Sequence, residues 1–248
     1  MNWHSTFISF SALLGGFAFT QTAHCQQSSP HASAAIATAQ RQYDLSFSNP
    51  LELYSGPEYA DYSRQYHTVT GHQYFLSTER QQGSVHYNGR YFTNLRLSYD
   101  VVRDQLVMSQ TTSPLYMRFI NEKVRYFTIN NHRFIRLVSD SIPGGLMRTG
   151  YYEVVTDGKI QLLAKRAKRM QEQIRQTRDV EFIPTDRFFF KKDGTYYPVK
   201  GKSAAMRLFT DHSKEVQAYA LQQKLPFKRS TFEADLVRLT QYYNALPL

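Results

Sequence analysis

The chain has 248 residues, with 30 Lys and Arg against 20 Asp and Glu, and a formal net charge of +10 at pH 7. Its one Cys and one Trp are Cys25 and Trp3, which excludes an intrachain disulfide and leaves no thiolate nucleophile or thiolate metal ligand beyond residue 25. A mature domain of about 220 residues buries a sufficient core without disulfides.

Residues 1–25 contain no Asp, Glu, Lys or Arg. Within them the apolar run Phe7 to Phe19 is followed by Thr20-Gln21-Thr22-Ala23-His24-Cys25, with small residues at Ala23 and Cys25. This pattern reads as a secretory signal peptide over 1–25. The competing reading is a retained anchor, which needs roughly 20 apolar residues; Gly15-Gly16 also lowers helix propensity. Cleavage after Cys25 is the expectation, and lipidation of Cys25 the alternative, although His24 stands where a lipoprotein signal has a small residue. Residues 26–42 are rich in Gln, Ser and Ala and poor in bulky apolar residues, as in a flexible leader.

From Tyr43 to Lys200 the sequence predicts an antiparallel β domain. All 18 Tyr lie beyond the leader, and aromatic residues favour pleated sheet. Asn88-Gly89, Asp157-Gly158 and Asp193-Gly194 each separate apolar or aromatic runs, the signature of tight hairpins. Ser84 to Tyr87 pairs with Tyr91 to Val101, and a turn at Arg103-Asp104 leads to Gln105 to Met108. Leu115 to Ile120 and Val124 to Ile129 are expected to pair through Asn121-Glu122, and Asn130-Asn131 turns into Arg133 to Val138. Ile142 to Gly145 reads as a loop. Gly150 to Val155 with Lys159 to Lys165, and Arg187 to Lys192 with Thr195 to Val199, complete the hairpins. From residue 201 to 248 the pattern turns helical. A short helix spans Ser203 to Phe209, and Ser213 to Leu225 follows up to Pro226. A last helix opens on the capping box Ser230-Thr231-Phe232-Glu233 and runs to about Ala245, with Phe232, Leu236, Leu239 and Tyr243 on one face. Sheet first and helices last make the fold α+β: an antiparallel meander, a curved sheet or half-barrel, with a small helical segment packed on it.

No catalytic motif stands out, and nothing implies a cofactor. Lys200-Gly201-Lys202-Ser203 lacks the upstream Gly of a phosphate loop and reads as a strand-to-helix turn. His67, His72 and His86 lack metal-ligand spacing. Asp100 and Asp104 flank a turn, where Asp commonly bonds backbone amides; as a pair they are also the candidate acid and base of a hydrolase. Tyr54-Ser55-Gly56-Pro57-Glu58-Tyr59 is a tight turn whose Tyr residues either pack on the sheet or face a ligand. The strongest charge feature runs from Lys159 to Arg178, densest at Lys165, Arg166, Lys168 and Arg169. It is the candidate site for an anionic ligand, against the alternative of a solvated strand end that keeps a sheet edge soluble.

Several stretches resemble a family of uncharacterised exported proteins of Bacteroidetes: the uncharged leader, Leu53 to Tyr59, Gly83 to Gly89, Tyr99-Asp100 with Asp104-Gln105-Leu106, Gly150 to Val154 with Lys165-Arg166, and Tyr242-Tyr243-Asn244. The resemblance implies an envelope location and a β domain with a helical end, and carries no activity. Export makes nucleic acid an unexpected partner, and the positive charge suits anionic polymers, lipid head groups or acidic proteins. The reading is thus an exported periplasmic or cell-surface protein, or an outer-membrane lipoprotein through Cys25, with peripheral or no membrane attachment. It binds an anionic or amphipathic envelope ligand or an envelope protein. A hydrolase of envelope polymer and a structural assembly component are the alternatives.

Overall fold

The structure is a computed structural model and describes residues 53–109, 115–139, 147–174 and 176–247. The expected signal peptide, Cys25, the expected leader, the expected start of the β domain at Tyr43 and the expected Ile142–Gly145 loop lie outside the described residues.

The strands are β1 (Thr68–Thr70), β2 (Gln81–Tyr87), β3 (Arg90–Asp100), β4 (Gln105–Ser109), β5 (Tyr116–Arg118), β6 (Val124–Ile129) and β7 (His132–Leu137). They continue with β8 (Gly150–Thr156), β9 (Gln161–Lys165), β10 (Lys168–Ile174), β11 (Arg178–Pro184), β12 (Arg187–Lys192) and β13 (Thr195–Val199). Three helices follow: α1 (Lys202–Met206), α2 (Ser213–Gln222) and α3 (Phe232–Ala245). Ten strands form one open antiparallel sheet in the order β13-β12-β9-β8-β7-β6-β2-β3-β4-β5, and β1-β11-β10 form a second. The fold is α+β, with the helices on a curved sheet.

Turn chemistry accounts for much of the register. Asn88-Gly89, Asn130-Asn131 and Asp193-Gly194 each hold positive φ at both central residues (48° and 82°, 46° and 68°, 50° and 76°), the twist that a two-residue hairpin needs. The Asp157-Gly158 connection is longer, running from the end of β8 at Thr156 to Gln161. It is held by Asn244 of α3, whose side chain accepts from the Ile160 amide and donates to the Asp157 and Ile160 carbonyls.

Two expectations are corrected. β5 and β6 do not pair: β5 lies at the sheet edge beside β4, while β6 returns to lie between β2 and β7. A 3-10 turn at Asn121–Lys123 makes that return, and the Lys123 carbonyl accepts from the Asn88 amide. Residues 168–184 form the β10–β11 ribbon. This ribbon continues the β9–β12 hairpin past a break at Arg166-Ala167 opposite Thr185-Asp186. The capping box does not form: Thr231 takes the N-cap position without a side-chain bond to the helix amides, and Glu233 turns to Arg166 instead.

The concave face of the sheet carries two hydrophobic clusters. One is aromatic, with Tyr87, Tyr99, Phe127, Phe134 and Tyr151 all buried. Tyr99 on β3 reaches Tyr151 on β8 at 5.9 Å between ring centroids, although β2, β6 and β7 lie between these strands. Only a strongly curled sheet allows that contact. The second cluster is where α1, α2 and α3 cover β8, β9, β12 and β13, burying Leu162, Phe190, Phe209, Val216, Leu236 and Leu239. Asp104, in the β3–β4 turn, clips the curl: it accepts from the Tyr99 hydroxyl and the Tyr151 amide and pairs with Lys165 at 2.7 Å.

Candidate functional site

Alternation along β9 sends Leu162 and Ala164 to the concave face, and the next residue of that parity is Arg166. Its side chain is 10 % exposed and meets three carboxylates. Nε donates to Glu153 at 2.5 Å, Nη1 to Asp186 and Glu233 at 2.8 Å, and Nη2 to Glu233 at 2.5 Å. His132 Nδ1 bonds the other oxygen of Glu153 at 2.5 Å. Burial alone lowers the Arg166 pKa, but its bonds to Glu233, Glu153 and Asp186 more than offset this and hold it above its ordinary value. The group therefore ties β7, β8, the β9–β10 break, the β11–β12 break and the first turn of α3 into one ionic seam between the two hydrophobic clusters.

The other residues of the basic segment are placed as follows. Lys165 pairs with Asp104 and donates to the Tyr151 carbonyl; burial draws its pKa down against the pull of Asp104. Lys168 donates to the carbonyls of His72 and Tyr74 at 2.7 Å each, and burial lowers its pKa too. Arg169 is exposed on β10. Three of the four cations thus serve contacts within the fold. Reading the segment by charge alone missed this. The signal available was period two: Arg166 continues the buried stripe of β9, and Glu153 lies inside the buried run of β8.

The candidate acid and base do not converge. Asp100 is fully buried, accepting from the Tyr59 and Tyr62 hydroxyls and from the amides of Val102 and Arg103. Burial raises its pKa, opposed by those bonds. Asp104 is taken up by the clip described above, and Glu58 lies exposed in a single bridge to Met117. Tyr59 of the Tyr54–Tyr59 turn packs inward, and Tyr54 lies against the aromatic core. Lys200-Gly201-Lys202-Ser203 is the strand-to-helix turn into α1. Among the described residues no group of three or more His, Cys, Asp or Glu is placed to hold a metal ion, and no helix is long and apolar enough to cross a membrane.

Two concavities stand out among the described residues. The larger, of about 650 Å³, lies between the β12–β13 end of the sheet and the start of α3. Phe188, Phe227 and Phe232 form its aromatic wall, packed edge to face at 5.7 and 6.3 Å. Arg187, Lys200 and Arg229 line it, all exposed and, among the described residues, without a hydrogen bond or ion pair. Asp186 and Glu233 also border it, but both are turned onto Arg166. The smaller, of about 340 Å³, lies under the chain from Asp61 to Arg80. Its floor includes Ser98 and Val107, which point away from the aromatic core because Leu97, Tyr99, Leu106 and Met108 point into it.

No protein-family model matches the chain, and neither a curated protein nor a solved structure matches it.

Proposed function

We propose that this protein is an exported cell-envelope binding module, without catalytic function, whose larger cleft takes an amphipathic ligand with an anionic head group. The observation that carries the reading is the joining, in one concavity, of an aromatic wall with three cations that have no hydrogen-bond or ion-pair partner among the described residues. An aromatic wall gains from burying an alkyl or ring system. Arg187, Lys200 and Arg229 supply charge-assisted bonds to a carboxylate or phosphate at its mouth. The carboxylates that share the cleft are already engaged by Arg166, so they leave these three cations to the ligand. Export is supported by the uncharged leader with its apolar run from Phe7 to Phe19.

Isothermal titration with dodecyl phosphate and the uncharged dodecyl maltoside, both below their micelle-forming concentrations, tests the binding. The phosphate is expected to bind at least about tenfold more tightly, since one good charged hydrogen bond is worth roughly 1.5–3 kcal/mol. Arg229→Gln should remove most of that preference. Equal binding of the two amphiphiles, or none of the phosphate, refutes the assignment. Mass measurement of the chain from its own host tests export. A mature chain starting at Gln26 or at lipid-modified Cys25 supports it, and an intact chain starting at Met1 refutes cleavage.

A further inference from the structure

The smaller pocket carries a separate inference, and it shares no lining residue with the larger cleft. Arg80, just before β2, stands over the ring of Tyr116 on β5, its guanidinium carbon 4.2 Å from the ring centroid. The cation–π contact holds the guanidinium against the pocket wall, and its planar fork can pair with a carboxylate or phosphate. Arg80 Nε is buried and makes no hydrogen bond, and among the described residues the guanidinium has no carboxylate partner.

Among the described residues Arg80 is the one Lys or Arg with a buried side-chain nitrogen that makes no hydrogen bond. Arg166, Lys165, Lys192 and Arg178 each have an acidic partner within 3.2 Å. A buried donor left unpaired costs about 1–3 kcal/mol, and an orphan of this kind needs an explanation such as a missing ion. The one acid among the pocket's lining residues, Asp61, has other partners: its Oδ1 accepts from the Ser63 amide and hydroxyl and from the Gln73 side chain. Around Arg80 the wall is polar and aromatic, with His72, Gln73 and Tyr74 beside Tyr116.

We infer that this pocket binds a small anion that carries hydroxyl groups, with Arg80 as its anchor. The guanidinium takes a carboxylate or phosphate through two parallel bonds. Asp61 Oδ2, which takes none of those three bonds, offers an acceptor for a neighbouring hydroxyl, and Tyr74 offers a ring face to the C–H side of a sugar-like ring. The volume suits one such ring rather than a polymer, since it lies at the low end for ligand pockets.

The test is calorimetric titration of the full mature chain with glucuronate, glucose 6-phosphate, glucose and inorganic phosphate. The expected result is that glucuronate or glucose 6-phosphate binds at least about tenfold more tightly than both glucose and inorganic phosphate. Which of the two binds identifies carboxylate or phosphate as the anchor. Arg80→Gln should weaken that binding at least about tenfold, and Arg80→Lys, with its charge kept but its planar fork lost, by less. The lysine variant also serves if Arg80→Gln does not fold. Arg229→Gln, in the other cleft, should leave this binding unchanged even if it abolishes binding of dodecyl phosphate. The inference is overturned if neither charged sugar binds, if inorganic phosphate binds as well as they do, or if both Arg80 variants bind like the unaltered protein.

Discussion

Replacing Arg166 by Leu is the sharpest perturbation of this fold. The cost is not shared equally among its three carboxylates. Glu153 is 4 % exposed in its side chain, whereas Asp186 and Glu233 are 29 % and 39 % exposed and can return to water. The two outer pairs therefore contribute at most about 1 kcal/mol each. The bond to Glu153 is buried and charged, in the range of about 1.5–3 kcal/mol. Glu153 keeps its bond to His132, which limits the loss. The sum is about 3 kcal/mol, the lower end of what breaking a buried pair costs. For a domain of this size that is a fall in Tm of about 6–12 °C. Urea denaturation followed by far-ultraviolet circular dichroism gives the free energy, and amide exchange should show early opening of the first turn of α3, where Glu233 lies. Adding Glu153→Gln to Arg166→Leu should recover part of the loss, because it removes the buried unpaired charge. A loss below about 1 kcal/mol, or a double variant less stable than the single one, refutes the account of a buried ionic seam.

Two further outcomes follow from the geometry. Gly150 has φ +152°, and a Cβ there would stand 2.0 Å from Asp104 Oδ2 and 2.6 Å from Lys165 Nζ. Gly150→Ala is thus expected to cost about 2 kcal/mol or more through backbone strain and displacement of the Asp104 clip, read as a lower urea midpoint; an unchanged midpoint would rule the clip out as a stabilising element. Asp211 accepts from the Tyr243 hydroxyl and pairs with Lys192, and chiefly the Tyr243 bond lowers its pKa from 3.8 to about 2. A carboxylate depressed by folding adds stability above its unfolded pKa and loses it as pH falls through the folded one. The stability gap between the unaltered protein and Asp211→Asn should therefore narrow from about pH 5 to about pH 2; a gap independent of pH over that window would contradict the assignment.

The fold class was legible in the sequence because its signals are local. Asn88-Gly89 and Asp193-Gly194 demand positive φ at adjacent positions, and few backbone arrangements other than a tight hairpin satisfy that. The face Phe232, Leu236, Leu239 and Tyr243 repeats at helical spacing, and α3 ends at Ala245 as that spacing predicts. Charge was the weaker guide. Lys165, Arg166 and Lys168 look alike in a list of cations, yet their roles depend on carboxylates and carbonyls far away in the chain. Arg166 meets residues 13, 20 and 67 positions distant, and Lys168 meets residues 96 and 94 positions distant. The same holds for the return of β6 to β2 and for the Arg80–Tyr116 contact. Short-range conformational preference is written in neighbouring residues, so turns, helix faces and fold class were determined by the sequence alone. Which charges are buried, which find partners and which are left facing a pocket is a property of the curled sheet, because only tertiary packing sets the distance and the solvent between groups so far apart.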